Sequence, residues 1–322
     1  IKDNLAEDGS RYGTQKVLVK MTTGTYKGKE KQAINPSGTL FGADCKVGAR
    51  IIVIVNKSGT NVGFTVYSQD RTMAIYGFAL IFAAVVCAIG GKKGVYAILS
   101  LVFAFACIIG IMFPMMYRGI SPIVLTIIVA VLTTIVTLGL LGGYSSKTVS
   151  AILGTAIGVV IAAVAAMAFG KAAGITGYNV SDIEALNYVG QNTKIKIGEL
   201  LFAGIIISAL GAVMDVGMSI ASTIQEIYET DKTLSMKRLF VSGINVGRDM
   251  MGTMTNTLIF AYVGGAMTTL VINYAYDLSY RQLANSYVIG IEIMQGLSGS
   301  LGVVLTVPIT ALIASFLAVR KK

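Results

Sequence analysis

The chain contains no histidine and only three cysteines among its 322 residues. Cys45, Cys87 and Cys107 show neither a CxxC pair nor any other spacing typical of metal ligands. Haem, the common zinc sites and a disulfide framework therefore lack the side chains on which they depend. We expect no metal and no cofactor beyond a bound proton or monovalent cation.

Charged residues are also scarce. They make up 13% of the chain, whereas 54% of it is hydrophobic and the mean hydropathy is +0.74, values that soluble globular proteins of this length rarely reach. The composition predicts a polytopic α-helical membrane protein whose main partner is the lipid bilayer. The net charge of +10 comes mainly from Lys and Arg in a polar N-terminal segment and in short loops, which argues against nucleic acid as a partner.

Residues 1–70 form a separate polar segment with the pattern of β-strands. The stretches QKVLVKMTTGTYKG, ARIIVIVNKSG and NVGFTVYSQ alternate apolar and polar residues between turns that contain Gly, Asn or Pro. They predict a small β-barrel or sandwich. A segment of this length supports a modest core, so we expect a lid, a spacer or a docking surface rather than a catalyst.

Residues 71–322 are dominated by apolar runs that are long enough, as helices, to cross a hydrocarbon core of about 30 Å. The seven runs lie at about 72–91, 94–117, 121–143, 148–170, 199–223, 253–275 and 297–319. We therefore expect about seven transmembrane helices behind a small N-terminal extracytoplasmic β domain. The fourth run carries Ser150, Gly154 and Gly158 at small-xxx-small spacing, which predicts close packing against a neighbouring helix.

The distribution of Lys and Arg orients these helices, because loops rich in them are expected to face the cytoplasm. The rich loops hold Lys92, Lys93, Lys147, Lys232, Lys237, Arg238, Arg248 and the C-terminal Arg320, Lys321 and Lys322. The C-terminus is then cytoplasmic and, with seven spans, the β domain lies outside. Ile1 is not a start residue, so we expect a signal anchor to precede the chain.

The fifth run contains the segment Gly211–Glu226, in which Asp215, Ser219, Ser222 and Glu226 follow one stripe at 3.6 residues per turn. An ionised Asp at the centre of a membrane helix costs about 2.5–3.5 kcal/mol on insertion scales, so such a residue is usually functional and has a partner. The alternative is a protonated Asp that only packs against a neighbouring helix.

The connection to the sixth run carries further polar groups. Its apolar spacing predicts an amphipathic helix near 233–245, after which Arg248 and Asp249 stand at the start of the sixth helix. Thr253 and Asn256 follow on one face and at the expected depth of Asp215. Together, Asp215, Ser219, Ser222, Thr253 and Asn256 predict a site for a proton, a Na⁺ ion or a small polar solute.

A second helix start follows the sixth run. Ser279 and Gln282 have capping-box spacing, and the sequence GLSGS interrupts the pattern after Gln295, so we expect an interfacial or re-entrant helix near 280–295. Glu292 lies in this helix. It is interpreted either as a gating residue or as a solvated carboxylate at the membrane rim.

The strings DVGMSIASTIQE, NVGRDMMGTMTNTLIFAYVGG and EIMQGLSGSLGVVLTVPITALIA resemble the YibE/F family of bacterial membrane proteins. The resemblance covers nearly the whole membrane portion. It implies a multi-pass protein of the bacterial plasma membrane with an extracytoplasmic module, and it supports the choice of Asp215, Arg248, Asp249 and Asn256. It implies no particular activity.

Two function classes remain open. The first is an ion- or proton-coupled transporter of an unknown solute, in which Asp215 takes up and releases the coupling ion. The second is a non-transporting scaffold or accessory subunit whose β domain binds an envelope protein; a homo-oligomer is left open in both. An aspartyl intramembrane protease built on Asp215 and Asp277 is disfavoured, because the two are expected at opposite ends of the bilayer and no GxGD or HExxH string is present. The protein is therefore not expected to be an enzyme.

Overall fold

The computed structural model describes residues 14–36, 43, 45–58, 61–180 and 182–320. The chain divides into two compact units, Ile1–Val85 and Val86–Lys322.

The first unit contains one four-stranded sheet. Its strands are β1 (Gln15–Lys20), β2 (Glu30–Asn35), β3 (Ile51–Ser58) and β4 (Asn61–Gln69), in the order β1-β2-β4-β3. Two antiparallel hairpins, β1–β2 and β3–β4, meet at a single parallel bridge between Ile34 and Thr65. Val17, Ala33, Phe64 and Val66 form the buried core of this sheet.

The alternation in the sequence predicted β1, β3 and β4 correctly, but the described residues show one sheet rather than a sandwich. The edge strands β1 and β3 share no backbone hydrogen bond in the described part of the chain, so these residues do not close a barrel either. Strand β2 was missed because EKQAIN has only Ala33 and Ile34 as apolar residues, too few for a clear alternation.

Long helices make up most of the second unit. They are α1 (Thr72–Cys107), α2 (Phe113–Tyr117, after a π-helical turn Ile108–Met112), α3 (Pro122–Gly142), α4 (Ser146–Ala173), α5 (Ile183–Asn192), α6 (Leu200–Thr230), α7 (Met236–Gly265), α8 (Met267–Ala275), α9 (Tyr280–Ala284) and α10 (Tyr287–Arg320). Within the described residues, five helical segments are long and apolar enough to cross a membrane, and the bent pair α7–α8 makes a sixth if it counts as one span.

Helices α4, α6, α7 and α10 surround the main core of this unit. The predicted close packing of α4 is confirmed: a side chain at Gly154 or Gly158 would collide with Thr310 or Thr306 of α10. The fully buried side chains of the core include Val213, Ile220, Ile224, Leu239 and Val303. Close helix contact through small residues is typical of membrane bundles.

The predicted amphipathic helix near 233–245 is wrong as a separate element. Helix α7 runs without interruption from Met236 to Gly265, so this stretch and the start of the sixth run belong to one helix. Gly243 and Gly247 of this stretch are buried where α7 touches α6 and α10. A Cβ atom at Gly243 would lie 2.7 Å from Cδ1 of Ile224, so glycine allows this approach.

The predicted start of a helix at Tyr280 is confirmed, with a capping box formed by Ser279 and Gln282. The predicted interruption at GLSGS is wrong. The chain instead breaks between Ala284 and Tyr287, and α10 continues through GLSGS and through Pro308. The small residues of GLSGS are mostly buried contacts rather than a turn.

Candidate functional site

The polar stripe of α6 extends further than the predicted site. Ser208, Asp215, Ser219, Ser222 and Glu226 all lie within about 60° of one another around the helix axis, counting 3.6 residues per turn. From Ser208 to Glu226 the stripe spans about 27 Å, close to the thickness of a hydrocarbon core of about 30 Å. The stripe therefore carries polar groups across nearly a whole bilayer.

This stripe lies on the accessible side of α6. Ser208, Asp215 and Glu226 are exposed, and Ser219 and Ser222 are half-buried, whereas Val213, Ile220 and Ile224 on the opposite side are fully buried. Within the described residues, Asp215 makes no side-chain hydrogen bond and no ion pair. Its carboxyl group is thus open to a ligand, to water or to another chain.

Three contacts set the register between α6 and α7. Gly243 meets Ile224, Gly247 meets Ile220, and the Tyr262 hydroxyl donates a hydrogen bond to Ser208 Oγ over 2.8 Å. Because the two helices are antiparallel, interpolation places Asp215 level with about Thr253.

The predicted partners of Asp215 on α7 are exposed. The Thr253 hydroxyl bonds within its own helix, to the carbonyl oxygen of Met250 at 3.0 Å, and Asn256 lies about one turn away from the level of Asp215. No hydrogen bond joins Asp215 to either residue in the described part of the chain. The structure thus gives them a similar depth, and direct or water-mediated contact between them stays a prediction.

The prediction that Arg248 and Asp249 stand at the start of a helix is wrong: both are exposed near the middle of α7, which begins at Met236. Neither forms an ion pair with another described residue. The contact of Gly247 with Ile220 puts them about level with Ser219 of the stripe, but no hydrogen bond or ion pair among the described residues links them to Asp215.

A second carboxylate lies nearer the other end of the stripe. Glu292 of α10 is half-buried and lines one cavity together with Tyr262, whose hydroxyl is bonded to Ser208. Three helices therefore contribute one polar group each to a cluster, Ser208–Tyr262–Glu292. Gly296 and Gly299 of α10 lie beside Tyr262: Cβ atoms there would stand 3.6 Å and 3.9 Å from its side chain, which are ordinary contact distances.

This cluster borders a small cavity at the break between α7 and α8. The two helices are bent by 59° around Ala266, and the cavity beside the bend has a volume of about 220 Å³. Its walls are otherwise apolar and include Ile259, Leu270, Ile293 and Leu297. Glu292 borders this largely apolar cavity, and both of its interpretations, a gating residue and a solvated carboxylate at the membrane rim, stay predictions.

Ser208 and Tyr262 were missed in the sequence. Ser208 continues the Asp215 stripe about two turns earlier along α6, seven residues away, and this spacing was available as a signal. Tyr262 lies just before Gly264 and Gly265, where α7 ends and the chain bends. A tyrosine next to two glycines in an apolar run is a second signal for a polar group near a bend. Neither signal indicates that the two side chains meet.

The cluster and the stripe can exchange protons or hold a monovalent cation, since both offer carboxylate and hydroxyl oxygens. No group of three or more His, Cys, Asp or Glu side chains suited to a metal ion occurs among the described residues. The donors at both places are therefore carboxylate and hydroxyl oxygens.

The arrangement is that of an α-helical protein with five to six apolar helical segments long enough to cross a membrane and a stripe of polar groups along the accessible side of α6. The chain belongs to the YibE/F-like family, whose family model matches residues 78–320. No curated protein and no solved structure matches the chain.

Proposed function

We propose that the protein is an ion- or proton-coupled transporter of a small solute in the bacterial plasma membrane. The observation that carries this proposal is the broken span α7–α8, whose 59° bend adjoins Glu292 and a cavity. Secondary transporters commonly bind substrate and coupling ion where a membrane helix is discontinuous. A purely structural bundle has no need of a carboxylate beside such a break.

The α6 stripe supplies the second part of the proposal. Glu292 stands near one end of the stripe and Asp215 near its middle, about 10 Å further along the axis from Ser208. Two carboxylates at different depths allow an ion to bind at one and pass to the other as the conformation changes. Asp215 is assigned as the coupling residue, and Ser219, Ser222, Thr253 and Asn256 as its polar neighbours.

The topology that we propose has seven spans. As one straight helix, the 46 residues Thr72–Tyr117 would be about 69 Å long, more than twice a hydrocarbon core. The helix changes direction at Gly91, which has φ 53° and ψ −132° and is followed by Lys92 and Lys93. One span lies on each side of Gly91. With α3, α4, α6, α10 and the bent α7–α8 pair, the proposed number of spans is seven. In this topology the β domain lies outside and the C-terminus lies in the cytoplasm.

Asp215→Asn tests the proposal. Asn keeps the size of Asp and can accept and donate hydrogen bonds, but it cannot change its charge. The transporter proposal predicts normal expression and folding, together with loss of complementation in a deletion strain under the conditions that reveal its phenotype. Ser315→Ala, which changes a fully buried hydroxyl of α10 outside the stripe, is the matched control and should complement.

The second candidate is a non-transporting scaffold, favoured by the four-stranded N-terminal sheet, which has a hydrophobic core of its own. This function predicts that Asp215→Asn complements as well as wild type, whereas deletion of residues 1–70 abolishes complementation at equal expression. Full complementation by Asp215→Asn would reject Asp215 as the coupling residue.

A further inference from the structure

The cavity beside the bend between α7 and α8 combines one carboxylate with apolar walls. Its volume is about 220 Å³, below the range of about 300–1,000 Å³ that is usual for drug-sized ligands, so it suits a small molecule. Among the described residues, Glu292 is the one charged residue that lines it, and Tyr262 adds a hydroxyl group. The other lining residues are Ile, Leu, Val, Ala and Gly. A matching ligand has an apolar body and one polar group.

Glu292 determines the charge of that polar group. In the described part of the chain Glu292 forms no ion pair and no hydrogen bond, and no Lys or Arg lines the cavity. A carboxylate beside apolar walls is costly in its ionised form unless a positive group accompanies it. Hard inorganic cations take several oxygen ligands, whereas an organic cation brings its own apolar surface. The lining therefore matches an organic cation better than an inorganic one.

The ring of Tyr262 is held close to the same part of α10. The Tyr262 hydroxyl donates to Ser208 Oγ over 2.8 Å, which fixes the ring from the side of α6. Gly296 lies one turn after Glu292, and a Cβ atom there would stand 3.6 Å from Cδ2 of Tyr262. The ring and the carboxylate thus border one stretch of α10. Aromatic rings attract organic cations, and quaternary ammonium groups are typical of such contacts.

The mouth of the cavity lies on an apolar surface. Val263, Ile293 and Leu297 line the cavity and are also exposed. These residues belong to helices that we propose as membrane spans, so the mouth is expected to face lipid. A cation with a hydrophobic body can reach such a mouth from the bilayer, which a strongly hydrated ion cannot do without losing its water.

We propose that this cavity binds a small organic cation with an apolar body, such as an arylalkyl ammonium ion. Glu292 balances its charge, Tyr262 contacts the ammonium group with its ring, and the Ile and Leu side chains surround the apolar part. The role of this cation as the transported solute rests on the proposed function, whereas its binding does not.

Benzyltrimethylammonium is the probe, because it carries a permanent positive charge next to one aromatic ring. Binding of the radiolabelled probe at equilibrium is measured with the full chain in nanodiscs of zwitterionic lipid, and binding to empty nanodiscs is subtracted. We expect saturable binding that the unlabelled probe displaces. Phenylmethanesulfonate, which has the same ring and a negative head group, should not displace it.

Substitutions at Glu292 locate the site. Glu292→Gln keeps the size of the side chain and removes its charge, so it should weaken binding about tenfold or more. Glu292→Asp keeps the charge and should bind the probe more tightly than Glu292→Gln. Glu184→Gln is the matched control, because it makes the same change on an exposed residue of α5 that does not line the cavity. It should change binding less than about twofold, since solvent screens an exposed charge. Circular dichroism of each variant checks that it is folded.

Three results would overturn the proposal. The first is equal displacement by phenylmethanesulfonate, which would show an apolar cavity without preference for charge. The second is an equal effect of Glu292→Gln and Glu184→Gln. The third is the absence of saturable binding up to roughly 10 mM, as expected if a lipid acyl chain fills the cavity.

The binding assay and the complementation assay of Asp215→Asn fail independently of each other. Binding requires no transport, and complementation requires no knowledge of the solute. Absence of binding together with loss of complementation by Asp215→Asn would reject the organic cation and leave the transport proposal standing. Binding that depends on Glu292, together with full complementation by Asp215→Asn, would support the cation site and reject Asp215 as the coupling residue.

Discussion

Gly302→Ala is the sharpest probe of the helix packing that holds the candidate site. Gly302 of α10 faces α4 at their closest approach. An added Cβ atom would lie 2.9 Å from Cβ of Ala162 and 2.9 Å from the carbonyl oxygen of Gly158, where ordinary contacts begin near 3.4 Å. One of these neighbours belongs to the backbone, so no side-chain rotation relieves the collision, and α4 and α10 must move apart.

The expected cost follows from this geometry. Overpacking by one methyl group in a well-packed core costs about 1–3 kcal/mol, which is roughly a 5- to 150-fold change in the ratio of folded to unfolded protein. Gly204→Ala is the control: it lies on α6 with nothing within 4 Å of its Cβ position. Because Ala is up to about 1 kcal/mol better than Gly in a helix, Gly204→Ala should be neutral or stabilising.

Unfolding of the purified full chain in mixed micelles by titration with SDS, followed by circular dichroism, measures both variants. We expect Gly302→Ala to unfold at lower SDS than wild type and Gly204→Ala at equal or higher SDS. If Gly302→Ala is as stable as Gly204→Ala, the close contact between α4 and α10 is refuted. The packing of α10 on α4, which positions Glu292, would then be refuted as well.

Three further predictions concern a hydrogen bond between two helices, a pKa in the α6–α7 connection and the orientation of the helices in the membrane. Tyr262→Phe removes the hydroxyl that donates to Ser208 and should lower the free energy of unfolding by about 0.5–1.5 kcal/mol. A double-mutant cycle with Ser208→Ala should show coupling between the two positions, and additive effects would contradict the hydrogen bond. Two hydrogen bonds from Thr233 hold the pKa of Asp231 below its usual value. The ionised Asp231 therefore stabilises the α6–α7 connection at neutral pH, and this stabilisation is lost as the pH falls through the pKa of Asp231 in the folded protein. Thr233→Ala should raise that pKa in a carboxyl NMR titration, and an unchanged titration would contradict the assignment. Lys147→Cys, as the single cysteine of the chain, should not react with an impermeant thiol reagent in intact cells, because its loop is proposed to face the cytoplasm. Labelling of this cysteine would contradict the proposed orientation.

The sequence was most informative where the signal is local. The alternation of apolar residues predicted β3 and β4, and the spacing of Ser279 and Gln282 predicted a capping box that the structure contains. Both depend on residues within a few positions of one another, and the physical rule needs no tertiary information.

Long-range contacts account for the errors. Gly243 and Gly247 look like helix breaks in isolation, yet in the bundle they allow α7 to touch α6 and α10 and so lie inside a continuous helix. The cluster of Ser208, Tyr262 and Glu292 draws one residue from each of three helices, so no spacing along the chain identifies it. Asp215 was chosen as a candidate because an acidic residue in an apolar run stands out by composition alone, and its role stays a prediction.

The most direct test of the transport proposal is the accessibility of the α6 stripe from the two sides of the membrane. Ser219→Cys is placed in a variant whose three native cysteines are replaced, and an impermeant thiol reagent is applied to right-side-out and to inside-out vesicles. Leu312→Cys, exposed on α10 outside the stripe, is the control. We predict labelling at Ser219→Cys from both sides and at Leu312→Cys from neither; a stripe labelled from neither side, or from one side only under all conditions, would contradict a pathway across the membrane.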